Sequence, residues 1–551
     1  MDAPSCLAPS YSHGVGATPL LGQTIGDNLR ATTERHGDRD ALVVCWQNYR
    51  ATYRELWEAV TRAARALLAL GVAPGDRVGV WSPNRWEWVV VQYATARVGA
   101  VLVNINPAYQ AAELEYALRQ SGVGLLFHAR GFRQLVYGPM LDAARLRCPE
   151  LKRALRFDDD WQAFLASGES VSETELARRE QSLQFDDPIN IQYTSGTTGF
   201  PKGATLTHHN ILNNGFFVGE ALGLTERDRV CIPVPLYHCF GMVLGCLACT
   251  SHGACMVLPA ESFAAAAVLQ AVQAERCTAL HGVPTMFRAL LEDSSFKDID
   301  CLSLRTGIMS GAPCPIELMQ EVTNRLHMPE AVIAYGMTET SPVSTISGRD
   351  DSLVRRVTTV GRVLPHLEIC IKDPVTQTIL PRGQAGELCT RGYSVMPGYW
   401  NDDQATRGAI DAAHWMHSGD LAVLDTDGYV HIVGRIKDMI IRGGENISPR
   451  EIELVLHQHP AVSEAQVIGV PSRKYGEEVM AWVRLAPGAA ASEEELTRHC
   501  QDRLAAYKRP RYWRLVDAFP MTVTGKVQKY RLREMAVELL GLRSAAEEKT
   551  A

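Results

Sequence analysis

Short apolar runs alternate with helical stretches through roughly the first 340 residues, and this alternation restricts the possible folds most. Arg77–Trp81 and Ala100–Ile105 are apolar runs bounded by Gly, Pro and Asn, as buried strands are. Trp86–Val98 reads as the helix between them. Upstream, Thr52 and Glu55 make a capping box, and Leu56, Val60, Ala64, Leu67 and Leu68 mark one face of a helix that stops at Gly71. Strand, helix and strand in this order imply βαβ units and mostly parallel sheet covered on both faces. A chain of 551 residues has room for about three to four domain-sized units.

Segment 358–433 changes character, with short strands and turns at Gly361, Pro381-Arg382-Gly383 and Asp425–Gly428, as in a small β-barrel-like subdomain. Beyond 434–438, Ser448-Pro449-Arg450-Glu451 reads as a second capping box with Pro at the first helical position. Ile452, Val455 and Leu456 follow on one helix face. Strands at Ala465–Val470 and Val479–Leu485 and a helix capped by Ser492 with Glu495 complete a compact α+β unit. The class is therefore α/β. Residues 1–436 form a large N-terminal domain of stacked mixed and parallel sheets with helices and the barrel-like subdomain, and 437–551 a small C-terminal domain.

Apolar residues at 46% and charged residues at 21% describe an ordinary globular chain, and a net charge of −7 argues against nucleic acid as a partner. No run of ~18 apolar residues is present, so no membrane span is expected. The opening residues lack a basic cluster followed by an apolar core, and no Arg precedes Arg30, so a cytoplasmic location is expected. Fourteen cysteines are scattered, and the one C-x-x-C, Cys246 to Cys249, lies inside the apolar segment 242–249. Without a second pair or a suitably spaced His it reads as buried reduced thiols, not a zinc site.

Residues 193–204, YTSGTTGFPKGA, carry the strongest chemical signal. An apolar run, Ile189–Tyr193, precedes them and a helix from about His209 follows. Glycines allow close approach of the backbone to a bulky anion, while hydroxyls, amides and the Lys202 ammonium donate to phosphate oxygens. The spacing G-x-x-G-x-P-K is not that of a Walker A loop.

This loop, together with YGMTET at 335–340, SGD at 418–420, GRIKDMIIRGGENISPREIE at 434–453 and TGK at 524–526, closely resembles the AMP-forming acyl-CoA synthetases of the adenylate-forming superfamily. The likeness runs from about Thr24 to Glu538 and is greatest to the medium-chain fatty acid ligases. It implies ATP, Mg²⁺ and coenzyme A as cofactor and co-substrates, and a two-step reaction. A fatty carboxylate attacks the α-phosphorus of ATP to give acyl-AMP and pyrophosphate, and the coenzyme A thiol then displaces AMP.

By that resemblance, Thr194, Ser195, Gly196, Thr197, Thr198, Gly199 and Lys202 hold the β- and γ-phosphates. Tyr335 and Gly336 lie against adenine with Gly311, Ala312 and Pro313, Thr338 reaches the α-phosphate, and Glu339 with Thr194 holds Mg²⁺. Asp420 accepts the ribose hydroxyls and Arg435 adds a contact to ribose or phosphate. Lys526 bridges carboxylate and α-phosphate during adenylation and is a candidate for inactivating acetylation; Lys529 stands where an Arg is usual. A C-terminal domain turning about Lys437 would withdraw Lys526 and bring Gly443, Gly444 and Glu445 to the thiol tunnel, although Gly-Gly is also a common plain turn.

His238 in PLYHCFG matches the residue that fronts the acyl tunnel, with a purely structural histidine as its alternative. Cys239, Phe240, Met242, Val283, Pro284, Thr285, Met286 and Met309 lie in neighbouring motifs and suit an alkyl tail. The expected partners are thus fatty acid, ATP and coenzyme A, with a homodimer left open. Alternatives are a long-chain or aryl acid ligase, an adenylating enzyme with a different acceptor, and a protein that holds nucleotide without catalysis.

Overall fold

The computed structural model describes residues 8–194, 201–501, 503–522 and 527–542. Ser195, Gly196, Thr197, Thr198, Gly199 and Lys526 lie outside them. Contacts divide the chain into two compact units, Ser12–Ile369 with Thr390–His417, and Met1–Tyr11 with Cys370–Cys389 and Ser418–Ala551.

The larger unit holds a seven-stranded and a nine-stranded sheet. Arg77–Trp81 and Val101–Ile105 pair in parallel, as their apolar runs predicted. The helix Trp86–Val98 joins them and is buried at every residue except its first. Such a helix must be enclosed on all sides, and its residues share one apolar core with both sheets and with Ile25–His36, Tyr53–Ala69 and His208–Leu222. The Thr52–Glu55 capping box forms, with Thr52 Oγ1 accepting from the Glu55 amide at 3.3 Å and Glu55 Oε2 from the Thr52 amide at 2.8 Å. The helix it starts gives way to Gly71 at φ +79°, a conformation only glycine takes cheaply.

In the nine-stranded sheet, Ala279–Leu280, Thr306–Ser310 and Glu330–Tyr335 run parallel in succession. Alternation along Thr306–Ser310 sends Ile308 into the shared core and Met309 into a separate cluster with Leu280, Phe287 and Met319. Met309 therefore packs apart from Val283, Met286 and Phe240, with which sequence neighbourhood grouped it.

In the smaller unit, residues 420–424 of the strand Met416–Leu424 pair antiparallel with Val430–Arg435. Further on, Val462–Ser472 and Gly476–Leu485 form a long hairpin within a five-stranded sheet. Val467, Val479, Ala481 and Val483 pack on Ile452, Leu456 and Leu496, whereas Ile468, Val470, Met480 and Trp482 pack on Leu532 and Ala536. The sheet thus separates two helical layers.

The second capping box does not form as the sequence suggested. Pro449–His457 begins with proline, but the Ser448 hydroxyl donates to the Val433 carbonyl at 2.6 Å and Glu451 pairs with Lys508 at 2.7 Å. Both side chains of the expected box are engaged by residues distant in sequence. Ser492 does cap, accepting from the Glu495 amide at 3.2 Å.

Candidate active site

Parallel strands present their carboxyl ends as the natural place for a ligand. Ser310 and Tyr335 end adjacent parallel strands, and the Ser310 hydroxyl donates to the Ala334 carbonyl at 2.7 Å. This ties Gly311, Ala312 and Pro313 to the start of the Tyr335–Thr340 turn. Gly311 has φ +90°, which explains its glycine. Gly336 is required for a different reason, because a Cβ there would lie 2.0 Å from the Pro342 carbonyl oxygen.

Past that glycine, Thr338–Thr340 forms a single turn that buries Thr338 and Glu339. Glu339 Oε1 accepts two hydroxyls, from Thr194 at 3.1 Å and from Tyr399 at 2.9 Å. Among the described residues its other oxygen, Oε2, has no hydrogen-bonding partner and no cation pairs with it. Thr194 ends the strand Pro188–Thr194, which returns antiparallel as Lys202–Thr207 and pairs Thr194 with Lys202. The Lys202 ammonium lies 5.1 Å from the Tyr399 ring centroid. Burial, and then the Glu339 charge, push the Tyr399 phenol well above its ordinary value, so it stays a hydroxyl donor.

Thr338 also faces the His238-Cys239 loop, since Cys239 Sγ lies 3.7 Å from its hydroxyl and 3.6 Å from His238 Nδ1. His238 itself precedes a short helical turn, and its Nδ1 accepts from the Phe240 amide at 3.1 Å. Phe240, Met242, Val283 and Met286 belong to the same core. The Met242 sulfur accepts from Asn104 and Gln192, each at 3.1 Å, so this side chain faces a buried amide group on two strands.

In the smaller unit Asp420 and Arg435 stand directly opposite on paired strands, and Arg435 Nε donates to Asp420 Oδ1 at 2.8 Å. Asp420 is buried while Arg435 is largely exposed. Gly443 and Gly444 occupy the two central positions of a hairpin between Ile440–Arg442 and Glu445–Ile447, at φ +61° and +90°. The turn alone accounts for both glycines. Lys529 pairs with Glu453 at 2.7 Å. Cys246 and Cys249 are fully buried, and burial pushes both thiols up.

The structure thus gathers Thr194, Lys202, Thr338, Glu339 and His238 with Tyr335 and Gly311–Pro313 in the larger unit, and pairs Asp420 with Arg435 in the smaller. Tyr399 was missed by the sequence reading. Its stretch, MPGYW, resembles an ordinary turn with packed aromatics.

Comparison with known families settles the class. The AMP-binding enzyme model matches residues 29–400 and the AMP-binding enzyme C-terminal domain residues 451–526. The chain belongs to the AMP-binding enzyme family. It is 47% identical over 546 residues to the putative acyl-CoA synthetase YngI of Bacillus subtilis, covering 96% of this chain and 99% of that protein. It is 43% identical to the mitochondrial medium-chain acyl-CoA ligase ACSF2 of Danio rerio, covering 97% and 92%. The anthranilate CoA ligase AuaEII, solved with anthranoyl-AMP, superposes with a TM-score of 0.82 at 27% identity over 94% of this chain and 98% of that one. The expectation of an acyl-CoA synthetase is borne out in family, fold and enzyme class. Among the described residues no helix is long and apolar enough to cross a membrane.

Proposed function

We propose that the protein is an AMP-forming fatty acid–CoA ligase for medium-chain acids that uses Mg²⁺·ATP. One observation carries this reading. Glu339 and Thr338 join the phosphate-loop stem at Thr194 to the acid-side loop at Cys239 and His238. A nucleotide phosphate and an acid held at those two places would meet at residues 338–339. The likeness to ligases named for medium-chain acids, and the apolar side chains around Phe240 and Met286, support an alkyl substrate.

The nucleophile is already a carboxylate, so the site needs positive potential instead of a base. Lys202 supplies one cation, held over an aromatic ring. The Thr338 hydroxyl is assigned to donate to an α-phosphate oxygen as charge gathers there. A buried carboxylate with one oxygen committed to hydroxyls and the other open fits a hard divalent cation. When bound, Mg²⁺ would neutralise phosphate charge. Asp420 is suited to accept ribose hydroxyls and Arg435 to hold it in place. Lys526 is assigned to the adenylation step.

Two reactions at one site call for a change in the groups presented. We place a boundary at 436/437, with residues 437–551 turning about Lys437 between the half-reactions. Lys437 lies in the short turn Ile436–Asp438, between the strand Val430–Arg435 and the Gly443-Gly444 hairpin. The test is acyl-CoA formation across C4 to C18 fatty acids plus benzoate and cinnamate. A maximum at C6 to C12 is expected. A maximum at C16 or with an aryl acid would overturn the medium-chain assignment.

A further inference from the structure

We infer that Tyr399 is a positioning residue for the nucleotide complex: its hydroxyl sets the Glu339 carboxylate and its ring steadies Lys202. This rests on the function proposed above.

Tyr399 is itself fixed by backbone. It lies in the two-residue strand Gly398–Tyr399, which pairs antiparallel with Lys202–Thr207 so that Tyr399 stands opposite Ala204. Its amide donates to Thr406 Oγ1 at 2.9 Å, and the next amide, of Trp400, donates to the Gly203 carbonyl at 2.7 Å. The side chain therefore leaves a scaffold anchored to the strand that follows the phosphate loop.

From there it serves two charged groups at once. The hydroxyl donates to Glu339 Oε1 at 2.9 Å, beside the Thr194 hydroxyl on the same oxygen. Two neutral donors on one oxygen fix the carboxylate plane without cancelling its charge, and they leave Oε2 open. Partners of this kind orient metal ligands and tune their affinity. The ring face, meanwhile, lies 5.1 Å from the Lys202 ammonium, within reach of a cation–π contact. Without it the long Lys202 side chain would lose a partner that limits its freedom. A tyrosine serves both groups; a phenylalanine could keep only the lysine and a leucine neither.

Calorimetric titration of ATP into the full-length protein, with acid omitted, separates these tasks. Each variant is titrated in saturating Mg²⁺ and in EDTA, and the ratio of the two affinities measures the gain due to metal. Tyr399→Phe is expected to cut that gain roughly ten-fold and leave binding in EDTA unchanged. Tyr399→Leu is expected to lose the same gain and also to weaken binding in EDTA by about two- to five-fold. Glu339→Gln, run alongside, tests the underlying reading. Loss of the gain in Glu339→Gln but not in Tyr399→Phe would overturn the positioning role alone, even if Tyr399→Phe melted at a lower temperature. A full gain in Glu339→Gln would overturn the metal assignment of Glu339, and the role of Tyr399 with it.

Discussion

At the scale of single residues, the site depends on pairings that join charges distant in sequence. Asp420 and Arg435 show this in its simplest form, because strand register places them opposite and a 2.8 Å hydrogen bond orients the carboxylate. If Asp420 accepts the ribose hydroxyls, Asp420→Asn removes charge-assisted bonds worth about 1.5–3 kcal/mol. The expected result is a rise of roughly ten- to hundred-fold in the KM for ATP with little change in melting temperature. An unchanged KM would contradict the ribose role. These residues were legible in sequence because they sit in distinctive motifs. Tyr399 was not, since nothing local to Gly398-Tyr399 reveals that a strand pairing delivers its hydroxyl to Glu339.

At the scale of elements, what could be read depended on whether the signal was local. The capping box at Thr52 and the strands flanking Trp86–Val98 were correctly placed, because end signals and apolar runs are properties of short stretches. Ser448 deceived, because Val433 and Lys508, fifteen and sixty residues away from it, take the partners that a local box would use. The strand Lys202–Thr207 and the π-helical turn Met242–Leu247 gave no sequence signal; the strand forms by pairing with Pro188–Thr194 and with the distant Gly398–Tyr399. Gly336 is where element geometry and chemistry meet. A methyl group 2.0 Å from the Pro342 oxygen must push the 336–340 turn away from the 342–344 backbone, at a cost of about 1–3 kcal/mol or more. Gly336→Ala is expected to lower the melting temperature and to reduce adenylation more than Thr52→Ala, which should cost only about 1 kcal/mol of stability. Equal activity in the two variants would contradict a catalytic place for this turn.

At the scale of the whole molecule, the enclosed core makes the fold sensitive to acid. His208 and His281 are fully buried, and burial lowers them from 6.5 to about 3 and about 4 respectively. Each stays neutral when folded, while the unfolded chain binds a proton below 6.5. Stability is therefore intact above that pH and lost as pH falls from 6.5 toward 4, with uptake of up to about two protons on unfolding. Urea midpoints at pH 7 and pH 5 measure this, with the lower value expected at pH 5; equal midpoints would contradict it. The proposed turning of residues 437–551 also belongs to this scale. Lys526→Ala is expected to abolish acyl-AMP formation yet largely spare thioester formation from supplied acyl-AMP, and equal loss in both half-reactions would contradict the hinge.

The most direct test of two-step ligation by this protein is a single turnover with octanoate, ATP and Mg²⁺, first without coenzyme A and then with it. Enzyme-bound octanoyl-AMP and pyrophosphate are expected in equal amounts, converted to octanoyl-CoA and AMP once the thiol is added. Pyrophosphate release without octanoyl-AMP, or an adenylate that coenzyme A does not discharge, would contradict it.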